Sequence, residues 1–219
     1  MNVLDLFSGL GGWSEAFKDR GHRVVTIDIL AKFNPTICID IMNIDNISKY
    51  GNFDIILASP PCNCFSVASI GKHWVGKEIK YTPKDEETKK AILLVQHTLK
   101  LIEEHNPKFW ILENPMGILR KLSFMQKYEH RFVTYCQYGE HRMKPTDLWG
   151  KFPKLFIAKS CKNGDLCHDR APRGSHIGGT QGIKSSEERA KIPYGLSLAI
   201  CIACEEELKQ IKRKEMKEG

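Results

Sequence analysis

The sequence predicts an α/β protein with a doubly wound, Rossmann-like sheet, because short buried strands alternate with helices from its first residues onward. Six runs are apolar on both faces, which is typical of buried parallel strands. They occupy residues 3–7, 23–29, 36–41, 53–58, 109–112 and 131–138. Between the fourth and fifth runs, residues 86–105 carry apolar side chains at helical spacing after an acidic start. This segment is expected to form the crossover helix of a βαβ unit.

The last third of the chain follows a different pattern. Residues 144–184 are rich in Pro, Gly, Lys and Arg and show no sustained period, which predicts a small irregular subdomain. A final helix is expected over residues 193–209, followed by a frayed tail. We therefore divide the chain into a core (1–144), a small basic segment (145–188), a closing helix that returns to the core (189–209) and a tail (210–219).

Length and composition exclude several classes of protein. A chain of 219 residues, 42% of them hydrophobic, suffices for one buried domain. Its apolar runs fall short of the roughly 20 residues that a bilayer span requires, so we expect no membrane contact. No basic region precedes an apolar one at the amino end, so no secretory signal is expected. The eight cysteines then indicate reduced thiols in a cytoplasm.

Positive charge is concentrated in one stretch. The net charge is +7, and residues 141–184 alone hold an excess of six positive charges. This concentration suits a polyanion, above all nucleic acid, although a solvated surface face has the same composition. The cations are Arg142, Lys144, Lys151, Lys154, Lys159, Lys162, Arg170, Arg173 and Lys184.

A glycine-rich turn follows the first predicted strand. Three glycines at a strand-to-helix turn let a ligand approach the backbone closely, with the amino end of the following helix facing it. Taken alone, this is a weak signal for a nucleotide site. The candidate residues in this segment are Asp5, Phe7, Ser8, Gly9, Gly11 and Gly12.

Acidic residues at the ends of the next two predicted strands strengthen that interpretation. Asp28 follows the glycines by about 20 residues, where an acidic side chain in this fold accepts hydrogen bonds from ribose hydroxyls. Asp40 closes the third strand and is placed to face an adenine base. For Asp40, the role of an ordinary turn residue remains open.

The fourth and fifth predicted strands end in reactive side chains. Pro60 and Pro61 fix the backbone directly before Cys62, which places its thiol at the carboxyl edge of the sheet. Glu113 ends the fifth strand at the same edge. A nucleophile and an acid thus converge on one site, while a buried, inert thiol remains the alternative for Cys62.

Together these motifs resemble those of the cytosine-C5 DNA methyltransferase family, in particular its short phage-type members. Residues 5–12 (DLFSGLGG) resemble its S-adenosylmethionine motif, 60–62 (PPC) its catalytic motif and 113–115 (ENP) its acidic motif. The order and spacing agree as well. Residues 138–144, with Arg142 and Lys144, resemble its basic motif, and 192–196 its closing helix motif.

The resemblance implies a reaction and a role for each candidate residue. Cys62 is expected to attack carbon 6 of cytosine, Glu113 to stabilise the charge that develops on the ring, and Arg142 to hold the flipped base. The implied cofactor is S-adenosyl-L-methionine, and the implied substrate is a DNA duplex with one flipped cytosine, bound by a monomer. The implied cofactor-binding residues are Asp5, Phe7, Ser8, Gly9, Gly11, Gly12, Asp28, Asp40 and Pro60.

The chain departs from the family pattern at several points. Pro115 stands where Val is usual, Lys144 replaces the second Arg of the basic motif, which also lacks its Gln, and the closing motif lacks its Asn. Segment 145–188 is shorter than the target-recognition domain of full-length relatives. Two alternatives stay open: an impaired member that acts as a DNA-binding module, and an RNA cytosine-C5 methyltransferase. An exocyclic-amine methyltransferase is disfavoured, because Cys62 stands where that class has an aromatic residue.

One further cluster lies in the basic segment. Cys161, Cys167 and His168 have a spacing that fits no standard zinc motif, so isolated thiols and a surface histidine are the preferred interpretation. A structural zinc ion is the alternative. No metal ligand is therefore assigned from the sequence.

Overall fold

A seven-stranded sheet organises the chain. The computed structural model describes residues 1–77, 80–169 and 185–218. The strands are β1 (Asn2–Leu6), β2 (Arg23–Asp28), β3 (Ile37–Cys38), β4 (Ile55–Ala58), β5 (Trp74–Lys77), β6 (Lys80–Pro83), β7 (Phe109–Pro115), β8 (Glu129–Thr134) and β9 (Pro145–Lys151). Strands β5 and β6 form a separate antiparallel hairpin. The other seven are arranged in the order β3-β2-β1-β4-β7-β9-β8.

Most of the sheet is parallel and buried. Strand β1 lies between β2 and β4 and pairs with both in parallel, and β4 pairs in parallel with β7. All of β4 is buried, as is β7 except for Pro115. A parallel sheet is buried in this way when helices cover both of its faces. The predicted doubly wound α/β class is therefore confirmed.

One long helix covers the first face of the sheet. The helices are α1 (Glu15–Asp19), α2 (Ile70–His73), α3 (Glu86–His105), α4 (Ser186–Ala190) and α5 (Tyr194–Glu218). Helix α3 has the predicted bounds, because the Asp85 carboxylate caps the Thr88 amide at 2.8 Å and Asn106 ends the helix in a left-handed conformation. Its buried residues Val95, Leu99 and Ile102 pack against the sheet.

Helix α5 covers the opposite face together with α1. Leu196, Ile200 and Cys204 are fully buried there and join a core cluster that includes Phe17 of α1. The helix continues to Glu218, so the prediction of a helix ending at residue 209 and a frayed tail is wrong. The tail is rich in Lys and Glu, whose high helix propensity sustains the exposed final turns.

Strand β9 corrects two predictions. Its residues fall in the stretch predicted to be irregular, yet β9 enters the sheet between β7 and β8, antiparallel to both. The run at 131–138 does not form a buried parallel strand either. Strand β8 ends at Thr134 on the sheet edge, and Tyr135–Tyr138 form a 3-10 turn. Tyr135 and Tyr138 of that turn are buried in the core cluster that contains α5, which gave the run its strand-like composition.

Part of the basic segment lies outside the described residues, including Arg170, Arg173 and Lys184. The division into a core, the segment 145–188 and a closing unit therefore stays a prediction. Among the described helices, none has the length and apolar composition needed to cross a membrane.

A substitution at Gly150 tests whether β9 lies directly beside β7 in the sheet. Its φ is +154°, and a Cβ atom at this position would lie 1.9 Å from the Trp110 carbonyl oxygen of β7. Because both strands are fixed in the sheet, we expect Gly150→Ala to lower the free energy of unfolding by about 3 kcal/mol or more. Urea denaturation measures this change.

Gly71 provides the matched control. A Cβ atom there meets nothing within 4 Å, and its φ is not positive. Gly71→Ala should therefore change the free energy of unfolding by less than about 1 kcal/mol. Equal stability of the two variants would contradict the close pairing of β9 with β7.

Candidate active site

The turn after β1 is held in place by the acid that ends β2. Phe7, Gly9 and Gly11 have φ values of +60°, +47° and +75°, so the backbone curls back on itself. The Asp28 carboxylate accepts hydrogen bonds from the amides of Gly9 (2.8 Å) and Leu30 (2.9 Å). Two backbone donors occupy about half of the four lone-pair sites of a carboxylate. The remaining sites are available to a ligand.

Asp5 lies beneath this turn and is fully buried. Neither carboxylate oxygen receives a hydrogen bond of standard geometry from the described part of the chain. Burial raises the pKa of the Asp5 carboxyl to about 7, against the opposing influence of the neighbouring Ser14. Asp5 is not among the residues that line the large cavity described below.

The chain just before α5, at Ile192, closes the other side of the turn. A Cβ atom on Gly12 would lie 2.6 Å from the Ile192 amide nitrogen, so the two backbones meet without a side chain between them. The Ser197 hydroxyl donates to the Trp13 carbonyl, and the Trp13 indole donates to Ser59 Oγ at 2.8 Å. The turn is therefore fixed to both α5 and the end of β4.

Cys62 occupies the tight turn that follows β4. Its carbonyl accepts hydrogen bonds from the amides of Phe65 (2.9 Å) and Ser66 (3.1 Å). The buried Asn114 amide donates to the Pro60 carbonyl at 3.0 Å and so anchors this turn to β7. Burial raises the pKa of the Cys62 thiol, the charge of Glu113 adds to that rise, and the charge of Lys144 opposes it.

Glu113 is buried beside Cys62 among groups that orient its carboxylate. The Tyr135 hydroxyl donates to Glu113 Oε1 at 2.9 Å, and Lys144 Nζ lies 3.7 Å from the same oxygen. Lys144 Nζ also donates to the Arg189 carbonyl at 3.1 Å and lies 4.4 Å from the centre of the Tyr135 ring. Tyr135 and Arg189 were not among the residues predicted from the sequence. The position of Lys144 in the basic motif was the one available signal for this cluster.

A cavity of about 1190 Å³ connects the glycine-rich turn after β1 with the turn that carries Cys62. Its walls include the predicted residues Phe7, Ser8, Gly9, Gly12, Asp28 and Cys62. Apolar side chains of Ile29, Leu30 and Phe33 form one end. The volume exceeds that of a typical pocket for one small ligand, so it has room for a cofactor and a base together.

Several predicted residues lie outside the walls of this cavity: Asp5, Gly11, Asp40, Pro60, Glu113 and Arg142. The Asp40 carboxylate accepts a hydrogen bond from the Met42 amide, which is the turn role left open above. Arg142 lines a small adjoining pocket with Lys144, Arg189 and Lys191. Glu140 and Glu188 line the same pocket, so the rim of the site holds four cations and two acids.

Comparison with known proteins identifies the family. A family model described as C-5 cytosine-specific DNA methylase matches residues 1–129. The chain belongs to this family. The resemblance inferred from the motifs is confirmed, and with it the prediction of a DNA (cytosine-5)-methyltransferase.

Relatives of this methylase occur in viruses and bacteria. A protein of Frog virus 3 (isolate Goorha) named "Probable DNA (cytosine-5)-methyltransferase" is 30% identical over 172 residues, covering 76% of this chain and 78% of the viral protein. The type II methyltransferase M.DdeI of Desulfomicrobium norvegicum is 28% identical over 143 residues, covering 58% of this chain. That match spans 31% of M.DdeI, so this chain corresponds to a minor part of the bacterial enzyme.

A solved structure shows the same fold. It is described as a "putative DNA modification methyltransferase" encoded within an E. coli prophage, and it superposes on this chain with a TM-score of 0.52 at 23% sequence identity. The match covers 73% of this chain and 51% of that chain.

The Lys144 cation should control the reactivity of Cys62. Because its charge opposes the raised pKa of the Cys62 thiol, we expect Lys144→Met to raise that pKa further. The alkylation rate of Cys62 by iodoacetamide, followed by mass spectrometry across pH, should then rise at a higher pH than in the wild type.

The exposed Cys38 serves as an internal reference, and Lys144→Arg as the charge-conserving control. Cys38 should follow one profile in all three proteins, and Lys144→Arg should restore that of Cys62. A Cys62 profile that does not move in Lys144→Met would show that the ammonium group has no influence on the thiol.

Proposed function

We propose that this chain transfers a methyl group from S-adenosyl-L-methionine to carbon 5 of cytosine in DNA through a covalent bond to Cys62. The observation that carries the proposal is the cavity that has the glycine-rich turn and Cys62 on its walls. A cofactor on the turn and a base on the thiol would share this space. Family membership supports the same reaction.

The cofactor half of the cavity fits S-adenosyl-L-methionine. Asp28 keeps lone pairs for ribose hydroxyls, and the apolar end formed by Ile29, Leu30 and Phe33 suits an adenine ring. The glycine-rich turn after Phe7 has no side chain at Gly9, Gly11 or Gly12, so the methionine part of the cofactor can lie close to its backbone. When bound, the cofactor supplies an electrophilic methyl group.

Cys62 makes the base reactive. Carbon 5 of cytosine is a weak nucleophile, and attack of the thiolate on carbon 6 converts the ring to an enamine whose carbon 5 takes the methyl group. Loss of the carbon 5 proton to solvent and departure of the thiolate then restore the aromatic ring. The raised pKa of Cys62 means that the thiol must lose its proton during the reaction, and Lys144 favours that loss.

Glu113 stabilises the ring while the sulfur adds. We place its carboxyl group against ring N3 and the exocyclic amino group, where it shares a proton with N3 as electrons move onto that nitrogen. The hydrogen bond from Tyr135 fixes the orientation of the carboxyl group. Tyr135 and Lys144 are therefore positioning residues in this proposal.

The cations at the rim suit a nucleic-acid backbone. Arg142, Lys144, Arg189 and Lys191 line one small pocket, where Glu140 and Glu188 offset part of their positive charge. A duplex conceals carbon 6 within the base stack, so the target cytosine must flip out, and we assign to Arg142 the role of holding the flipped base and its phosphate. We propose that the methylase acts as a monomer. We also propose a reducing cytoplasm as its location, because the catalytic thiol must stay reduced.

The nucleophile is tested by Cys62→Ala. Because the Sγ atom makes the covalent bond, we expect methyl transfer to DNA to fall by at least about 1000-fold. Binding of S-adenosylmethionine, measured by calorimetry, should stay near the wild-type value because the glycine-rich turn is intact. Cys38→Ala is the matched control and should retain full activity. Substantial turnover by Cys62→Ala would exclude the covalent mechanism, and transfer to RNA instead of DNA would replace the proposed substrate.

The ribose contact is tested by Asp28→Ala. Loss of a charged acceptor should weaken S-adenosylmethionine binding by about 10- to 100-fold in calorimetry. Asp40→Ala is the comparison, because the structure gives Asp40 a turn contact outside the cavity. An unchanged affinity in Asp28→Ala would show that its carboxylate serves the backbone alone. Equal weakening in Asp40→Ala would restore Asp40 as a cofactor-binding residue.

A further inference from the structure

Four side chains of metal-binding type meet beside the catalytic region, in a cluster separate from Cys62. Cys136, in the turn after β8, meets Cys161, Cys167 and His168 from the segment that follows β9, and the four candidate ligand atoms all lie within 4.8 Å of one another. Cys136 Sγ is 3.2 Å from Cys161 Sγ and 3.8 Å from Cys167 Sγ. His168 Nδ1 is 3.6 Å from Cys161 Sγ and 3.5 Å from Cys167 Sγ.

These separations are those of a tetrahedral ligand shell. With Zn–S bonds of about 2.3 Å, the sulfur atoms of a tetrahedral site lie about 3.8 Å apart. The Cys136–Cys167 sulfur distance of 3.8 Å equals this value. The Cys136–Cys161 sulfur distance of 3.2 Å is shorter, and a small increase in it makes room for an ion at the centre. The three cysteines are free of disulfide bonds, since a disulfide needs sulfur atoms about 2.05 Å apart.

The backbone holds the ligands together through contacts of its own. The Thr134 hydroxyl oxygen accepts a hydrogen bond from the Cys161 amide at 3.0 Å, and the Thr134 amide donates to the Lys159 carbonyl at 3.2 Å. Asp165 closes the loop between Cys161 and Cys167, because its carboxylate accepts from the Lys162 amide at 2.8 Å. These hydrogen bonds hold the end of β8 beside the segment that contains Cys161, at the point where the ligands meet.

We infer that Cys136, Cys161, Cys167 and His168 form a structural zinc site. Three thiolates and one imidazole make a closed, four-coordinate set, which is typical of structural zinc and leaves no open position for catalysis. Binding through Nδ1 puts the imidazole proton on Nε2. The Gly164 amide donates a hydrogen bond to Nε2 at 3.3 Å in this structure, and zinc binding through Nδ1 has to break that bond.

The site would fasten the basic segment to the catalytic core. Cys136 directly follows Tyr135, which orients Glu113, and the Lys159 amide donates to the Tyr138 hydroxyl at 2.9 Å. On the other side, the Asp169 amide donates to the His141 carbonyl at 2.9 Å. Zinc would therefore fix both the turn behind Glu113 and the point where the chain leaves for residues 170–184. This inference holds whether or not the methylase acts on DNA.

The metal content of the full chain tests the site. The protein is expressed with zinc, purified under reducing conditions without chelators and analysed by mass spectrometry of its metals; we expect about one zinc ion per chain. Cys167→Ser is the informative variant because Cys167 is exposed, so its loss leaves the core intact. It should lose the zinc while retaining the helical circular dichroism of the wild type. Cys38 is also exposed but lies in β3, at the opposite edge of the sheet from β8. Cys38→Ser should therefore keep the zinc ion.

Cobalt substitution tests the ligand set itself. Co²⁺ bound to the wild-type chain should give the visible absorption of a tetrahedral ion with thiolate ligands. His168→Cys should still bind the metal, with a spectrum shifted toward that of four thiolates, whereas Cys167→Ser should not give the wild-type spectrum. A wild-type protein without zinc, zinc retained in Cys167→Ser, or a Cys136–Cys161 disulfide in the freshly purified chain would each overturn the inference.

Discussion

The pairing of β1 with two parallel neighbours is the constraint on which the site depends. Because β2, β1 and β4 run in the same direction, their carboxyl ends reach one edge of the sheet, and the turns that follow them carry Asp28, the glycines and Cys62. Contacts between these turns then fix their conformation; for example, the Asp28 carboxylate accepts a hydrogen bond from the Gly9 amide. The cofactor half of the site is therefore a direct consequence of parallel strand order.

Strand β9 builds the other half by running in the opposite direction. It enters antiparallel beside β7, so the residue before it, Lys144, lies at the same edge as Glu113 at the end of β7. The turn after β8 places Tyr135 on the other side of Glu113. A buried carboxylate is costly unless it is hydrogen-bonded and paired, and Tyr135 and Lys144 meet both needs. Glu113 and Lys144 also act in opposite directions on the pKa of the Cys62 thiol.

The sequence predicted the parallel half well because its signals are local. The strand runs that are apolar on both faces, the acidic start of the segment 86–105 and the glycines at 9, 11 and 12 are each recognisable within a few residues. The antiparallel half gave weaker signals. Pro145 and Gly150 break the apolar pattern of β9, the Tyr135–Glu113 contact spans 22 residues, and Cys136 lies 25 residues before the thiol it meets. Such contacts depend on tertiary packing, and periodicity does not reveal them.

The central claim is that Cys62 bonds to carbon 6 of a flipped cytosine, and trapping that bond tests it most directly. DNA in which cytosine is replaced by 5-fluorocytosine cannot lose a proton from carbon 5 after methylation, so the adduct persists. Incubation of the wild-type chain with this DNA and S-adenosylmethionine should give a stable protein–DNA complex, whose proteolytic fragments carry the modified base on Cys62. A crosslink at another residue, or methylation of ordinary DNA with no trapped complex, would contradict the account.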